Sequence, residues 1–292
     1  MKCPEPGVYH NVPAETYFEW EAVSNSKLSL MNRSPMHYRH GFGEASAAMR
    51  LGSLVHSGVL EPLSIAVRYV FMPDYSSHPD NVTGNGDRSF SSATKFVKSM
   101  QEKFIALHHD KEIIGKSEYD TMIGMATAIQ ANNQAREILR DGVAEECAVW
   151  TDGRTGLRCK ARIDWLKGST GQFCDLKTTQ DAGEFERSIV KFGYHRQMAF
   201  YARGLRANGI DAEPWILAVE KSAPYGCRTA PMSIDAIDHG EREVDGLLDR
   251  VLQCEQSGQW PGYDNPTAWN CPDWYGKNET FDLVIGGEAV SV

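Results

Sequence analysis

The sequence lacks several features that mark whole classes of proteins. No apolar run approaches the roughly 18–20 residues that a membrane helix needs, and the N-terminal stretch MKCPEPGVYHNVPAETYFEW has no apolar segment typical of a secretory signal. The seven cysteines are scattered, and no two of them form a C-x-x-C pair. A zinc ribbon and a disulfide framework are therefore not expected. We expect a cytoplasmic protein with no membrane partner.

Positive charge is also in short supply. The 292 residues include 30 Lys and Arg against 39 Asp and Glu, which gives a formal net charge of −9. This balance argues against a protein that coats nucleic acid through its overall charge. The fractions of hydrophobic residues (41%) and charged residues (24%) are typical of a globular protein rather than of a disordered or coiled-coil chain.

The order of predicted elements indicates a single α/β domain over residues 1–292. We predict an irregular arm and helices over residues 1–141, a core rich in strands over about 142–232, and a helix with a surface tail over 233–292. Residues 73–92 are expected to form a long loop. One helix is predicted over residues 117–140, and a helical region over about 182–207 could break near Gly193. Three strands joined by short turns in the core predict an antiparallel meander.

The segment ARIDWLKGSTGQFCDLKTT carries the strongest chemical pattern. Asp164 ends one predicted strand, and Asp175 and Lys177 share a face of the next, because alternate residues of a strand point the same way. A hairpin can place Asp164 beside Asp175, and two adjacent carboxylates favour a hard divalent cation such as Mg²⁺. Lys177 can then stabilise charge that develops on a phosphorane. This is what metal-dependent phosphodiester cleavage needs, but a solvated strand face gives a similar pattern.

Four other residues could complete such a site. Glu145 precedes the first core strand, and His56 lies on an otherwise apolar helix start, LGSLVH. Gln197 and Tyr201 are four residues apart on a predicted helix and so share a face. Taken singly, each of these residues is more typical of the core or of the surface.

Basic residues are concentrated around the proposed site. Residues 154–196 contain nine basic and five acidic side chains, so the negative excess lies elsewhere in the chain. This local excess favours contact with DNA phosphates, although an ordinary charged strand face remains the alternative. The candidate DNA-binding residues are three on the strand of Asp164 and three at the start of a later helix: Arg158, Lys160, Arg162, Tyr194, His195 and Arg196.

In combination and in this order, the motifs resemble the RecB-type branch of the PDDEXK nuclease superfamily, and within it the RecE-type (exodeoxyribonuclease VIII) exonucleases of prophages. The similar stretches run from near the start of the chain to about residue 207: PGVYHNVPAETY, VSNSKLSLMNRSPMHY, LGSLVHSGVLEP, EECAVWTDGRTGLRCKARID, DLKTT and YHRQMAFYARGL. The resemblance implies a restriction-endonuclease-like core, with a mostly antiparallel central sheet flanked by helices.

The resemblance also assigns roles at the metal site. Asp164 and Asp175 would be the central Mg²⁺ ligands, and Mn²⁺ would substitute. His56 would be a further ligand from a helix packed across the sheet. Lys177 would be the catalytic lysine.

Further roles follow from the same resemblance. Glu145 would be the upstream acid of the family, and Gln197 and Tyr201 would position the scissile phosphate or the DNA end. Relatives with an iron–sulfur cluster use closely spaced C-terminal cysteines. Because Cys254 and Cys271 are far apart in the sequence, no iron–sulfur cluster is expected.

The function that the resemblance implies is Mg²⁺-dependent exonuclease activity on linear double-stranded DNA, from 5′ to 3′, in phage recombination. The remaining 3′ strand would pass to a single-strand annealing protein, and the exonuclease would form a homo-oligomeric ring. One alternative is an endonuclease or resolvase of the same superfamily. An alternative of another class is a non-catalytic DNA-binding protein that retains the fold, which the intact set of Asp164, Asp175 and Lys177 disfavours.

Overall fold

The computed structural model describes residues 1–41, 43 and 46–263, together with the backbone of two strands at 282–285 and 288–291. The strands are β1 (Gly7–Tyr9), β2 (Tyr69–Phe71), β3 (Glu112–Ile114), β4 (Val143–Thr151), β5 (Arg158–Leu166), β6 (Gln172–Thr179), β7 (Glu213–Glu220), β8 (Cys227–Pro231), β9 (Asp282–Ile285) and β10 (Glu288–Ser291). The helices are α1 (Ala14–Glu19), α2 (Asn25–Arg33), α3 (Pro35–His40), α4 (Ala47–Leu60), α5 (Ile65–Arg68), α6 (Lys95–Leu107), α7 (Lys116–Ala131), α8 (Asn133–Ile138), α9 (Phe185–Phe192), α10 (Tyr194–Ala207) and α11 (Ile234–Ser257).

A sheet of six strands, ordered β1-β4-β5-β6-β7-β8, organises the fold. The predicted meander is confirmed, since β4, β5 and β6 are consecutive antiparallel neighbours. β6 and β7 are parallel, because α9 and α10 carry the chain back across the sheet before β7 begins. The predicted mixed, mostly antiparallel sheet flanked by helices is therefore confirmed.

Helices cover both faces of the sheet and bury a core on each. On one face, side chains of β5, β6 and β7 pack with α2, α10 and α11, and Phe173, Phe200 and Leu248 are among the buried residues. On the other face, α4 and α7 cover Leu176, Leu217 and neighbouring residues. The predicted apolar stripe of α7 is part of this second core, because Met122, Met125 and Ile129 are all buried.

Local sequence signals explain where several helices begin and end. The Ser24 hydroxyl accepts a hydrogen bond from the Lys27 amide at the start of α2, and Ser34 and Pro35 then end that helix and begin α3. Gly193 has a φ of 67° and separates α9 from α10, at the predicted break. The single helix predicted over residues 117–140 is wrong. Asn132 divides it, because its side chain caps α8 by accepting a hydrogen bond from the Ala135 amide.

The N-terminal arm is more regular than predicted. β1 pairs with β4 at the sheet edge, and α1 follows it immediately. The expected long loop at residues 73–92 contains one 3₁₀ turn, and it is organised around the buried Asn81, whose side-chain amide donates to the carbonyls of Ser76 and Ser91. The predicted surface tail lies mostly outside the described residues. No helix among the described residues is long and apolar enough to cross a membrane.

Candidate active site

The candidate site lies where β5 and β6 separate. The two strands pair only at Trp165–Cys174 and Leu166–Phe173, and the next residues in this antiparallel register are Asp164 and Asp175. The carboxylates therefore occupy adjacent strands at the first step beyond the pairing. We call this point, with Asp164, Asp175 and Lys177, the strand fork.

At the fork, the regular alternation of β5 side chains between the two faces of the sheet is interrupted. Ile163 packs in the core beneath α10, whereas Trp165 packs in the core beneath α4. Regular strand alternation would place Ile163 and Trp165 on one face, so the alternation is broken between them. The alternation fails because β5 leaves its partner at Asp164, which the residue pattern does not show.

Asp175 is held from two sides at the fork. Its side chain is about 1% exposed, and one carboxylate oxygen accepts a hydrogen bond of 2.7 Å from Nε2 of Gln197. The other oxygen lies 2.6 Å from Nζ of Lys177. The same Gln197 nitrogen lies 3.1 Å from the hydroxyl oxygen of Tyr201, so α10 fixes the orientation of the carboxylate.

Asp164 is poorly neutralised compared with Asp175. Its Oδ2 accepts a hydrogen bond of 2.8 Å from the Leu176 amide and lies 3.5 Å from Nδ1 of His56. Burial, followed by the nearby charge of Asp175, raises the pKa of Asp164 to about 7. A carboxylate whose charge is this unfavourable is stabilised by any cation that enters beside it.

Two residues distant in sequence complete the group of potential ligands. His56 reaches the fork from α4, and its Nε2 lies 2.7 Å from the carbonyl oxygen of Leu176. Glu145 has a φ of 58° and lies opposite Asp164 in the register of β4 with β5, at the one position where the pairing of these two strands is interrupted. Ligand atoms of His56, Glu145 and Asp164 all lie within 4.8 Å of one another.

This donor set fits a hard divalent cation. Carboxylate oxygens are the ligands that Mg²⁺ and Mn²⁺ prefer, and the carbonyl oxygen of Leu176 lies beside them. The His56 nitrogen is a softer donor that Mn²⁺ accepts more readily than Mg²⁺ does. Asp175 lies next to the group but contacts Lys177 and Gln197 rather than His56.

Lys177 remains charged in this setting. Burial alone would lower its pKa, but the charges of Asp175 and Asp164 outweigh burial and raise the pKa of the ammonium above its ordinary value. Its Nζ also lies 4.8 Å from the ring centroid of Tyr194. The lysine is therefore a fixed positive charge between the Asp175 carboxylate and an aromatic ring.

An open cleft of about 670 Å³ gives access to the fork. Its walls are formed by α1, α4 and β5, and its lining includes His56, Glu145, Arg162, Asp164 and Lys177. Sequence reasoning missed the contribution of α1, which brings Phe18 and Glu15 to the rim. The only signal for α1 was a short polar and aromatic stretch after Pro13.

The three basic residues predicted on β5 share a face with Asp164, but the N-terminal arm covers most of that face. Nζ of Lys160 donates to the carbonyls of Tyr17, Phe18 and Trp20, and the lysine is buried. This position does not suit contact with a DNA phosphate, so the structure disagrees with that prediction for Lys160. The ammonium instead holds the C-terminal end of α1 against the sheet.

Arg158 and Arg162 are closer to the surface than Lys160. Arg158 lies 3.4 Å from a carboxylate oxygen of Glu5. Arg162 forms an ion pair with Glu145 and donates to the carbonyl of Val12. Arg162 also lines the cleft, so its contact with DNA stays a prediction.

The other predicted DNA-binding residues occupy two different environments. Tyr194 faces Lys177 at the fork. His195 and Arg196 point instead to α11, where they lie 3.0 Å from the two carboxylate oxygens of Glu243. Arg196 is buried, and this position makes the pair a link between α10 and α11 rather than a lining of the cleft. A helix places consecutive residues on different sides, so one sequence segment serves both environments.

Comparison with known proteins supports the fold and the superfamily. Residues 23–268 match the family model described as a PDDEXK-like domain of unknown function, DUF3799. The chain belongs to this family. Membership of a PDDEXK-like family supports the prediction of a nuclease enzyme. No curated protein sequence matches the chain.

Solved structures give the same result for the fold. A crystal structure from Eubacterium rectale, provisionally named an exonuclease, is 14% identical, covers 90% of this chain and 96% of its own, and has a TM-score of 0.56. It shows the same fold as the PDDEXK-like chain described here. An alkaline exonuclease from Laribacter hongkongensis is 14% identical and covers 57% of this chain and 87% of its own. Its TM-score is 0.26.

Proposed function

We propose that this chain is a Mg²⁺-dependent exonuclease that degrades linear double-stranded DNA from its ends. The observation that carries the proposal is the strand fork, where Asp164 and Asp175 lie on adjacent strands with Lys177 2.6 Å from Asp175 and His56 beside Asp164. The resemblance to RecE-type proteins supports the direction, 5′ to 3′, and a role in phage recombination. The coarser assignment to PDDEXK-like proteins is independent of that resemblance.

The fork residues fit the tasks that phosphodiester hydrolysis requires. Asp164, Glu145 and His56, with Asp175 and the Leu176 carbonyl beside them, would hold Mg²⁺, and Mn²⁺ would substitute. The bound ion would activate water and offset the phosphate charge. His56, Glu145 and Asp164 all line the cleft, so a phosphate that enters the cleft can reach an ion held by them.

Lys177 and α10 would orient the reacting groups. The ammonium of Lys177 can donate a hydrogen bond to a phosphate oxygen or to the attacking water, and its raised pKa keeps the proton on that nitrogen. Gln197 holds Asp175 through a hydrogen bond of 2.7 Å, with Tyr201 behind it. Gln197 and Tyr201 therefore act as positioning residues for the carboxylate, and through it for the scissile phosphate.

The preference for an exonuclease over an endonuclease rests on the resemblance to RecE-type proteins and not on the volume of the cleft, which is open to solvent. On this proposal the remaining 3′ strand would pass to an annealing protein, and a homo-oligomeric ring would keep the enzyme on its DNA.

A comparison of DNA topologies tests the proposal. Purified protein with Mg²⁺ is incubated with a linear duplex labelled at either the 5′ or the 3′ end, and separately with the same DNA as a covalently closed circle. We expect the linear duplex to be degraded, the 5′ label to be released first, and the circle to persist. Nicking of the circle would support the endonuclease alternative. Binding of both forms without any cleavage, in Mg²⁺ or in Mn²⁺, would support the non-catalytic alternative.

A further inference from the structure

An aromatic ridge leads from the strand fork to the protein surface. The Tyr194 ring lies 4.8 Å from Nζ of Lys177, and the Phe192 ring lies 5.6 Å from the Tyr194 ring. Phe185, which is buried, stacks on Tyr194 with ring centroids 5.7 Å apart. Tyr194 is thus packed against a buried ring, whereas Phe192 is 54% exposed. An aromatic ring this exposed, two contacts from a catalytic lysine, has room for a stacking partner.

The backbone is arranged so that these two rings meet. Residues two apart in a continuous helix do not face each other. Gly193, between α9 and α10, has a φ of 67°, which an L side chain adopts only with strain. A Cβ at this position would also meet the Arg196 guanidinium at 2.6 Å. The helix break therefore brings Phe192 against Tyr194.

The charges around the ridge suit a nucleic acid strand. Nζ of Lys191 lies 5.4 Å from the Phe192 ring centroid, so a cation stands at the outer end as Lys177 does at the inner end. Other charges of α9 are neutralised, since Arg187 pairs with Glu184 and Glu186 pairs with Arg228. Within the described part of the chain, Lys191 has no acidic partner. Aromatic rings alternating with cations are the arrangement with which proteins hold single-stranded nucleic acid.

We propose that Phe192, supported by Tyr194, is a stacking platform for an unpaired nucleobase of the substrate strand, next to the scissile phosphate. This inference rests on the proposed nuclease function, because it takes Lys177 as the residue that contacts that phosphate. Lys191 would contact the phosphate that follows the stacked base. The platform would favour ends that are frayed or single-stranded over fully paired ends.

The stacking platform is tested by comparing the binding of two DNA ligands, one with bases in its single-stranded overhang and one without. The ligand is a DNA hairpin with a short single-stranded overhang of either polarity, and affinity is measured by fluorescence anisotropy in EDTA, where no hydrolysis occurs. A second hairpin carries abasic nucleotides in the overhang. We expect Phe192→Ala to weaken binding of the first hairpin by about 5-fold to 100-fold, as the loss of one stacked base predicts. The same variant should bind the abasic hairpin as the wild type does.

Two further variants make the result specific. Phe192→Trp should retain or strengthen binding of the hairpin with bases, because a larger ring replaces the lost one. Phe90→Ala is the matched control, since Phe90 is 66% exposed with the Arg88 guanidinium 5.1 Å from its ring but lies in the loop at residues 73–92 rather than beside Tyr194. Phe90→Ala should bind like the wild type.

The contrary outcomes separate this inference from the proposed function. If Phe192→Ala loses equal affinity for both hairpins, or if Phe90→Ala loses as much, the stacking role is wrong. If wild type degrades linear DNA but Phe192→Ala binds normally, the platform alone is overturned. If wild type binds neither hairpin and cleaves no DNA, both the platform and the proposed function are overturned.

Discussion

Two clusters of buried charge lie in this fold, and their carboxylates behave in opposite ways. In the first, the strand fork, Asp164 has its pKa raised to about 7 by burial and by Asp175. In the second, which we call the Arg203 cluster (Asp152, Arg203, Glu241 and Asp245), burial would raise the pKa of Asp152. Hydrogen bonds from Thr155 and the charge of Arg203 outweigh burial and lower it.

The difference lies in how completely each cluster neutralises its own charge. Arg203 lies 3.3 Å from Asp152 and 2.9 Å from Asp245, and it also pairs with Glu241. These contacts join β4, α10 and α11, and every carboxylate has a cation in place. At the fork, Lys177 contacts Asp175 and leaves Asp164 beside a histidine. A complete cluster needs no further charge, whereas an incomplete one leaves a carboxylate that an external cation would stabilise.

The largest expected effect is on activity at the fork. Asp175→Ala should reduce Mg²⁺-dependent degradation of linear DNA by about 10³-fold or more, because metal-assisted charge stabilisation contributes several kcal/mol. Circular dichroism should show a folded variant. The matched control is Asp152→Ala in the Arg203 cluster, which removes an equally buried aspartate. It should lower stability while each folded molecule retains activity, and full activity of Asp175→Ala would contradict the comparison.

The second effect separates turnover from metal binding. Lys177→Ala should reduce kcat by about 10²- to 10³-fold, as the loss of one charge-stabilising donor does in other enzymes. Calorimetry should show Mg²⁺ binding as tight as in wild type, or tighter, because the ammonium no longer competes for Asp175. Lys167→Ala, in the turn of the same meander, is the control and should retain turnover. Weaker Mg²⁺ binding with an unchanged kcat would contradict the proposed role, because it would show that Lys177 serves metal binding and not turnover.

The third effect belongs to the Arg203 cluster and concerns stability. Arg203→Met should lower the free energy of unfolding by roughly 3 kcal/mol, because it leaves the buried carboxylate of Asp152 without its cation and removes the ion pairs with Glu241 and Asp245. Urea denaturation measures the loss, and the activity of the folded fraction should be unchanged. Arg187→Met removes an arginine that is 86% exposed, and it should change stability by less than about 1 kcal/mol. If Arg203→Met lost activity without losing stability, the Arg203 cluster would serve activity rather than stability, which would contradict the comparison.

The smallest expected effect is on the pH dependence of stability and concerns Lys160, a buried lysine that belongs to neither cluster. Burial lowers its pKa to about 8, against an ordinary value of 10.5. As the pH rises through this window, the folded protein releases the proton before the unfolded chain does, so the contribution of Lys160 to stability increases. Relative to Lys160→Met, wild type should gain roughly 1–2 kcal/mol between pH values of about 8 and 10.

Urea denaturation across that range tests the sign of the Lys160 effect. Lys95→Met, at an exposed position, is the control and should follow wild type at every pH. A constant difference between wild type and Lys160→Met would show that the lysine retains its ordinary pKa in the fold.

The parts of the molecule that depend on neighbouring residues were predictable. Turn residues and strand alternation predicted β4, β5 and β6, and with them the approach of Asp164 to Asp175. The break at Gly193 was also predictable, since glycine favours the left-handed conformation found there. The break at Asn132 was missed because an asparagine within a helical pattern can either continue the helix or cap the next one. Single-domain organisation stays a prediction.

The contacts that side chains make with distant segments of the chain could not be predicted from the sequence. The pattern places Lys160 on the same strand face as Arg158 and Arg162, but not beneath an arm that supplies carbonyl acceptors from more than 100 residues away. Likewise, nothing local shows that His195 and Arg196 face Glu243, 48 and 47 residues onward. Only the packing of α10 on α11 decides that.

The sequence by itself determined the chemistry available at the fork, because spacing along paired strands places Asp164, Asp175 and Lys177 together in any fold that keeps the meander. Tertiary structure decided what surrounds them. It brought His56 from α4 to within 3.5 Å of Asp164, placed Glu145 opposite Asp164 with a left-handed backbone conformation, and placed Phe192 against Tyr194 at a helix break. The physical reason is that strand register is a short-range property, whereas burial and charge balance depend on which segments pack together.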